Sequence, residues 1–358
     1  MINKNKLSIF LSAIILLVLS CNKKDFPPEP ETAKPAHGIY ILNEGHFNQN
    51  DATISYYDFA TAKVTNDFYA SVNNVQLGSI ANDAIIYGSK MYIVMNVSNE
   101  VTVVNKHTAK LIGKIKAGSD WSPRYAAAYK NKMLITAFNN TLSIIDTTNL
   151  TTEKVIKVGA NPEGLVVMGD MAYVVNSGGL NDKPDSTISI VDLKKGEEIS
   201  KLVVGLNPYM IVAGNDGKLY VSTRSYWKDE KYIPKIIVID SKTNQVIKTI
   251  DATGSKMAYY NNKIYTYNYD YTTQKATVVV IDSKTDNVLE NEFITDGKVA
   301  QIPYGLDIDE SNGDVYIADA VDYVSPGMIH CYDQSGRKKF SVSLATQGYF
   351  PNKVLFVR

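Results

Sequence analysis

The sequence predicts an all-β fold, a seven-bladed β-propeller with four antiparallel strands in each blade. The main observation is a phrase of about 46 residues that recurs along the chain. It consists of a turn with Pro or Asn, an apolar strand similar to YVVN, a strand ending in IVD, and a final strand. The clearest copies span 161–204 and 207–250, and others span 256–294 and 302–344. Four short strands in a repeat of this length are typical of propeller blades.

The two ends of the chain supply the second observation. The first unit contains only three strands, at 38–45, 53–59 and 63–69, and lacks the innermost strand of the other units. Residues 351–358 have the pattern of that missing strand. We therefore predict that the C-terminal strand joins the N-terminal blade and closes the ring, because an unpaired sheet edge favours aggregation.

Composition agrees with this fold and excludes one class of partner. The chain contains 24 Tyr, and its 37 basic residues balance 37 acidic ones. Tyr, Val and Ile favour strands, and no helical period is sustained beyond the N-terminus. A net charge of zero provides no electrostatic attraction for a phosphate backbone, so we predict no nucleic-acid partner.

The N-terminus has the pattern of a processing signal. Lys4 and Lys6 precede an apolar stretch from 7 to 19, and Cys21 follows Ser20. This Ser-Cys pair resembles the lipobox of bacterial lipoproteins, although a plain secretory signal with an incidental Cys gives the same pattern. We predict a signal peptide at 1–20, lipidation at Cys21, a Pro-rich tether over 21–36 and the propeller over 37–358, so that the membrane is contacted through a lipid anchor.

Recognisable enzyme chemistry is missing from the sequence. The four His residues have no metal-ligand spacing, and a single remaining thiol, Cys331, cannot form a zinc cluster. Nucleophile-elbow, phosphate-loop and dinucleotide fingerprints are absent. An Asp closes the third strand of nearly every repeat, which predicts turn chemistry rather than catalysis. We therefore predict that the protein is not an enzyme and has no catalytic residue, resident cofactor or metal.

Alignment of the repeats selects one variable position near the start of each innermost strand. Scaffold positions around it recur, whereas this position changes in almost every blade. Its residues would face one mouth of the central channel, where they either bind a ligand or vary freely in solvent. They are Asp83, Arg124, Glu163, Tyr209, Lys256, Tyr304 and Lys353.

Loops predicted at the same mouth carry large aromatic side chains, which are costly to expose unless they contact something. Amide side chains accompany them, although strand-end turn chemistry explains any single Asn equally well. The predicted ligand-binding residues are Asp83, Trp121, Arg124, Glu163, Asn176, Tyr209, Arg224, Tyr226, Trp227, Lys256, Asn268, Tyr269, Tyr304, Tyr323, Tyr349 and Phe350.

This combination favours a large, nearly neutral and partly flat ligand with peripheral hydrogen-bonding groups. Complex glycans and corrinoids both have these properties. A small anionic metabolite would require concentrated positive charge, and Asp83 and Glu163 are expected to offset the basic residues.

The repeats resemble the YncE-like seven-bladed propellers, most clearly in NPEGLVV…MAYVVN…TISIVDLKKGEEISKLVVG. The opening GIYILNEGHFNQNDATISYYD, at 38–58, resembles the Bacteroidota branch that includes the BtuG surface lipoproteins. That resemblance implies a surface-exposed outer-membrane lipoprotein that captures cobalamin, or a related corrinoid, and delivers it to a TonB-dependent transporter. The alternatives are a glycan- or protein-binding scaffold of the envelope and a propeller lactonase or lyase.

Overall fold

The propeller is described by a computed structural model that covers residues 34–226, 232–297 and 299–358. The signal peptide, Cys21, most of the tether and Trp227 therefore lie outside the described residues. Seven four-stranded antiparallel sheets form the ring, and the innermost strand of each sheet contacts the innermost strands of its two neighbours. This architecture confirms the predicted fold.

The blades follow one another in chain order, and within each blade the strands run from the channel outwards. Blade 1 contains β28 (Pro351–Val357), β1 (Gly38–Asn43), β2 (Thr53–Asp58) and β3 (Lys63–Thr65), followed by helix α1 (Phe68–Asn73). Blade 2 contains β4 (Ala81–Tyr87), β5 (Lys90–Met95), β6 (Glu100–Asn105) and β7 (Leu111–Ile115). Blade 3 contains β8 (Pro123–Tyr129), β9 (Lys132–Ala137), β10 (Thr141–Asp146) and β11 (Thr152–Lys157). Blade 4 contains β12 (Pro162–Met168), β13 (Met171–Asn176), β14 (Thr187–Asp192) and β15 (Glu197–Val203).

The remaining three blades repeat this arrangement. Blade 5 contains β16 (Pro208–Ala213), β17 (Lys218–Thr223), β18 (Ile236–Asp240) and β19 (Gln245–Ile250), with a 3-10 turn at Asn215–Gly217. Blade 6 contains β20 (Met257–Tyr260), β21 (Lys263–Asp270), β22 (Lys275–Asp282) and β23 (Asn287–Glu290). Blade 7 contains β24 (Pro303–Ile308), β25 (Val315–Asp319), β26 (Met328–Tyr332) and β27 (Lys338–Ser343).

Ring closure occurs where it was predicted. Strand β28 pairs antiparallel with β1 from Gly38, opposite Val357, to Asn43, opposite Pro351. Val354 and Leu355 of β28 are buried against the neighbouring blades. The C-terminal strand therefore supplies the innermost strand of blade 1 and pairs the inner edge of β1.

The hydrophobic core is divided among the interfaces between adjacent blades. Second and third strands such as β5 and β10 are almost completely buried, because their two faces pack on neighbouring blades. The side chains of outer strands such as β15 are exposed or half-buried, because these strands lie at the solvent side of the ring. Trp121 belongs to one of these interfaces, between blades 2 and 3. Cys331 is also fully buried, and burial raises the pKa of its thiol to about 12, which keeps the sulfur protonated.

The recurring Asp at the end of the third strand forms turn hydrogen bonds, as the sequence predicted. Its carboxylate accepts from the backbone N–H two or three residues further on, and Asn105 replaces it in blade 2. The residues are Asp58, Asp146, Asp192, Asp240, Asp282 and Asp333.

Bulges near the start of the innermost strands correct the predicted alignment of these strands. In blade 5, Pro208 lies opposite Thr223 and Met210 opposite Ser222, so Tyr209 has no direct partner. Tyr304 in blade 7 occupies the same bulge. In blades 1 and 2 the bulged residues are Asn352 and Asn82. A bulge re-aims its side chain, so these positions differ from the regular strand.

Asp83, Lys256 and Lys353 therefore lie one residue further along the strand than predicted. Asp83 pairs with Val94 and Lys353 with Leu42, both beyond the bulge. In blade 6 the first pair, Met257 with Thr266, places Lys256 level with Met210 rather than with Tyr209. The seven residues that were predicted to be equivalent therefore occupy two successive positions along the innermost strands, and not one.

Candidate functional site

A cavity of about 930 Å³ opens at the face of the ring where the innermost strands begin. We call it the mouth cavity. Its wall comes mainly from blades 3 to 7 and is unusually rich in phenol rings, which are Tyr125, Tyr209, Tyr267, Tyr269, Tyr271, Tyr304 and Tyr323. Its charged lining residues are Glu44, Arg124, Arg224, Lys256 and Asp270.

Half of the predicted binding residues meet in this cavity. The inner-strand and loop residues that line it are Arg124, Tyr209, Arg224, Lys256, Asn268, Tyr269, Tyr304 and Tyr323. Tyr269 reaches it because β21 and β22 extend two residues beyond the usual strand length at this face, and Asn268 directly precedes this extension.

Aromatic rings of blades 6 and 7 form a continuous wall on one side of the mouth. The Tyr271 and Tyr323 hydroxyl oxygens are 3.1 Å apart. Tyr269 meets Tyr271 edge-to-face at 4.7 Å between centroids, and Tyr323 stacks on Phe350 at 5.8 Å. Tyr304 contacts both Tyr323 and Phe350. The rings hold one another in place, so they form a preorganised apolar surface with hydroxyl groups at its edges.

The opposite side of the cavity combines two tyrosines with two arginines. The hydroxyl oxygens of Tyr125 and Tyr209 are 2.9 Å apart, and the Arg224 guanidinium lies 3.9 Å from the Tyr209 ring centroid. Burial raises the pKa of both phenols, so they remain neutral at physiological pH. Neutral phenols can both donate to and accept from a bound ligand.

Glu163 forms ion pairs with both Arg124 and Arg224. Its Oε2 accepts from Arg124 Nε at 2.9 Å, and its Oε1 lies 3.4 Å from Arg224 Nη2. Only 2% of Glu163 is exposed, so the interpretation of this residue as solvent-facing is wrong. Its role in the structure is to hold the arginines at the cavity wall.

Lys256 and Glu44 form the deepest charged part of the cavity. Lys256 Nζ donates to the carbonyl oxygen of Asn352 at 2.8 Å, and Asn352 Nδ2 donates to Glu44 Oε2 at 3.2 Å. Burial lowers the pKa of Lys256 to about 8, with repulsion from Lys353 as the next cause. Burial likewise raises the pKa of Glu44, because desolvation disfavours both charged forms.

Asp83 and Lys353 do not line the mouth cavity, which corrects their predicted place. Lys353 Nζ lies 3.6 Å from Asp83 and 3.5 Å from Asp307, deeper in the channel. These three residues line a second cavity of about 520 Å³. Because β4 and β28 run away from the mouth, that cavity extends towards their far ends, Gly88 and Arg358.

Trp121 is a core residue and not an exposed ring of the mouth. It is completely buried against Tyr92, Ile135 and other apolar residues of blades 2 and 3. The loop that carries it precedes β8, but packing between the blades draws the indole inwards.

Asn176 is also buried, so its predicted place at the mouth is wrong. Its Nδ2 donates to Thr187 Oγ1 at 3.0 Å and to Ser189 Oγ at 2.9 Å inside blade 4. The interpretation as strand-end hydrogen bonding is the one that the structure confirms.

Three further predicted residues lie on the surrounding loops rather than in the lining. The Tyr226 hydroxyl donates to the carbonyl oxygen of Asp182 on the adjacent loop. Tyr349 lies against His46 at 4.7 Å, and Phe350 contacts the same imidazole at 5.0 Å. Phe350 supports the aromatic wall from behind, through Tyr304 and Tyr323.

Several lining residues were not among those predicted. Tyr125 follows Arg124 in an inner strand, and Tyr267 belongs to the alternating YTYNYDY run of β21, so both had a sequence signal. Glu44 lies in the loop after β1 and had none. Its place at the cavity depends on ring closure, which brings Asn352 beside it.

The described part of the chain has neither a cluster of metal-ligating side chains nor a membrane-spanning helix. No three His, Cys, Asp or Glu side chains converge there in the manner of a metal site. Within the same residues, no helix has the length and hydropathy required to span a bilayer.

Solved structures support the fold at low sequence identity. A quinonprotein alcohol dehydrogenase-like protein from Bacteroides thetaiotaomicron is 17% identical with a TM-score of 0.65, over 90% of this chain and 78% of that one. The dihydro-heme d1 dehydrogenase NirN in complex with DHE is 12% identical with a TM-score of 0.59, over 92% and 76%. The computationally designed Ika8 protein is 14% identical with a TM-score of 0.57, over 90% and 92%. At these identities the likeness establishes the fold alone.

No curated protein sequence matches the chain. One family matches residues 37–357, which is nearly the whole described propeller. The chain therefore belongs to the family described as Domain of unknown function (DUF5074).

Proposed function

We propose that this protein is a non-catalytic binding propeller whose mouth cavity holds a cobalamin or a related corrinoid. The observation that carries the proposal is the tyrosine wall of blades 6 and 7. A flat macrocycle can lie against these rings, and its peripheral amides can exchange hydrogen bonds with neutral phenols and with Asn268. The resemblance to YncE-like propellers and to the BtuG branch supports the same ligand class.

Cavity size is compatible with partial enclosure of such a ligand. Small-molecule sites commonly occupy roughly 300 to 1,000 Å³, and the mouth cavity has about 930 Å³. A corrinoid exceeds a typical small molecule, so one face would enter and the remainder would stay outside. Partial enclosure suits capture followed by transfer to another protein.

The cellular setting is part of the same proposal. Lipidation at Cys21 would anchor the propeller in the outer membrane, exposed at the cell surface. The captured corrinoid would then pass to a TonB-dependent transporter. The lipobox-like Ser-Cys pair and the Pro-rich segment after it support this setting.

Isothermal titration calorimetry with cyanocobalamin tests the proposal. We expect saturable binding to the purified protein, and at least tenfold weaker binding for Tyr269→Ala combined with Tyr271→Ala. Phe47→Ala is the matched control, because this ring is 70% exposed on a neighbouring loop but does not line the cavity. An absence of heat at high micromolar cyanocobalamin would reject the corrinoid.

A glycan is the second candidate, favoured by one observation. Tyr271 is 71% exposed at the rim and presents a flat ring to solvent, in the manner of a stacking platform for a sugar. A glycan array with the wild type and the Tyr269/Tyr271 double variant separates the two ligand classes. Binding of a glycan, with no response to cyanocobalamin, would replace the first candidate with the second.

A further inference from the structure

Arg124 and Arg224 of the mouth cavity carry more positive charge than their ion-pair partners among the described residues neutralise. Arg124 and Arg224 share a single carboxylate, that of Glu163. Glu163 is almost fully buried, so it is a fixed structural partner and not a mobile surface group. Two guanidinium groups and one carboxylate leave one positive charge at the cavity wall.

Arg124 is the arginine that Glu163 satisfies. Its Nε and Nη2 both approach Glu163 Oε2, at 2.9 and 2.8 Å, and its guanidinium lies over the ring of Phe138 at 4.4 Å. This charge-assisted pair is short and well directed. The surplus charge therefore resides on Arg224.

Arg224 makes only long contacts with its acceptors. Its Nη2 lies 3.4 Å from Glu163 Oε1 and 3.5 Å from Asn207 Oδ1. Its Nε is buried and has no hydrogen-bond acceptor among the described residues. A buried guanidinium N–H without an acceptor is costly unless a ligand or water completes it.

The plane of Arg224 is nevertheless fixed for recognition. The guanidinium stacks on Tyr209 with 3.9 Å between its central carbon and the ring centroid. An arginine held in this way presents a rigid fork of donors that matches the two oxygens of a carboxylate or a phosphate.

The other acidic residues that the structure describes near the mouth have partners of their own. Glu44 lines the cavity, but it accepts from Asn352 Nδ2 in the group that also contains Lys256. Asp270 lines the cavity, but its carboxylate accepts from the backbone N–H groups of Thr272 and Thr273 and from the Thr273 hydroxyl. Asp83 lies deeper in the channel with Lys353. The expected offset of the basic residues by Asp83 therefore does not apply at the mouth.

We propose that Arg224 forms an anionic subsite of the mouth cavity, which binds a carboxylate or phosphate group of the ligand beside Tyr209. The inference deepens the proposed function, because it rests on a ligand entering this cavity, and it adds a charged group to what that ligand must carry. A corrinoid with its nucleotide loop carries a phosphate diester, whereas a cobinamide lacks it.

Calorimetry with phenyl phosphate and with benzoate tests the subsite without any corrinoid. Each probe joins one aromatic ring to one anion, and the two arms distinguish phosphate from carboxylate. We expect at least one probe to bind the wild type at millimolar concentration or below. Arg224→Gln should weaken that binding at least tenfold, and Arg224→Lys should weaken it less, because charge remains while the fork is lost.

Arg337→Gln is the matched control, since Arg337 is an exposed arginine of blade 7 paired with Asp333. It should bind both probes as the wild type does. Circular dichroism checks that the variants are folded. If Arg224→Gln does not fold, the Arg224→Lys variant tests the subsite in its place. Failure of both probes to bind, or binding that no Arg224 variant weakens, would overturn the subsite.

A corrinoid arm separates the subsite from the proposed function. If the binding of cyanocobalamin depends on Arg224 and the binding of dicyanocobinamide does not, both proposals are supported. If both corrinoids bind independently of Arg224, the corrinoid function stands and the subsite is rejected. If neither corrinoid binds but an aryl anion binds through Arg224, the subsite stands and the corrinoid is rejected.

Discussion

Lys256 of blade 6 and Asn352 of the C-terminal strand meet beneath the mouth cavity, with 2.8 Å between the Lys256 Nζ and the Asn352 carbonyl oxygen. The same Asn352 donates through its side chain to Glu44 and to the backbone oxygens of Ala81 and Asn82. One strand from the far end of the chain thus connects blades 1, 2 and 6 at the floor of the site. Ring closure and the geometry of the cavity are therefore coupled.

The charge of Lys256 should make stability depend on pH. Its pKa is about 8 in the folded protein against an ordinary 10.5, so between these values the unfolded chain binds the extra proton. Stability due to this group is therefore complete above about pH 10.5 and is lost as pH falls through about 8. We expect the unfolding free energy of the wild type, relative to Lys256→Met, to rise by about 1 to 3 kcal/mol from pH 7.5 to 10.

Urea denaturation of both proteins at each pH measures this difference. Lys110→Met replaces an exposed lysine of blade 2, and its unfolding free energy should change with pH in the same way as that of the wild type. If the unfolding free energy of Lys256→Met also changed with pH as that of the wild type does, the Lys256 ammonium would not be desolvated.

Removal of residues 351–358 should open the ring. The deletion exposes the inner edge of β1 and removes the buried Val354, Leu355 and Val357. We expect loss of cooperative thermal unfolding and aggregation on size-exclusion chromatography, because an unpaired edge adds strands from other chains.

Deletion of Arg358 alone is the control for that experiment. It removes the ion pair with the buried carboxylate of Asp309 but leaves β28 in place, so it should lower the unfolding free energy by about 1 to 3 kcal/mol without opening the ring. A shortened protein without 351–358 that remained monomeric with an unchanged melting temperature would contradict the closure.

The sequence predicted the ring because its evidence is repeated. Seven copies of one phrase and one missing strand determine the blade number and the closure, and the turn Asp recurs with them. The bulge was harder to see, since in blades 5 and 7 only one strand residue precedes it, which is too few to reveal a break in the alternation. Pro351 was the available signal, because aligning it with Pro208 and Pro303 would have placed Asn352, not Lys353, beside Tyr209 and Tyr304.

Contacts between distant parts of the chain could not be predicted residue by residue. Trp121 and Tyr271 are both aromatic residues of loops between strands, yet one is fully buried and the other is 71% exposed. Packing between two blades decides this difference, and no local pattern encodes it. The sharing of Glu163 by two arginines is of the same kind, since Arg224 is 61 residues away in the sequence.

Replacement of Trp121 by Ala should reduce stability and leave ligand binding intact. The indole is completely buried in the interface of blades 2 and 3, so its loss creates a cavity there. We expect a decrease of about 3 to 5 kcal/mol in the unfolding free energy. Guanidinium denaturation measures it, with Phe47→Ala as an exposed aromatic control that should change stability by about 0.5 kcal/mol or less. A Trp121→Ala protein as stable as the wild type would show that the indole does not contribute to the hydrophobic core.

Asn176 and Asn268 occupy the same register in the second strands of blades 4 and 6, opposite Thr187 and Thr277, yet their surroundings differ. The Asn176 amide is buried between Thr187 and Ser189, and Ser189 also accepts from the backbone N–H of Gly159. Asn176→Leu breaks this network and should cost about 1 to 3 kcal/mol, because buried hydroxyl groups lose their partner. Asn268→Leu replaces a half-buried amide of the cavity lining, so it should leave stability nearly unchanged and alter only ligand affinity. Chemical denaturation of the two variants, followed by titration with cyanocobalamin, separates these roles, and equal losses of stability would show that both amides are structural.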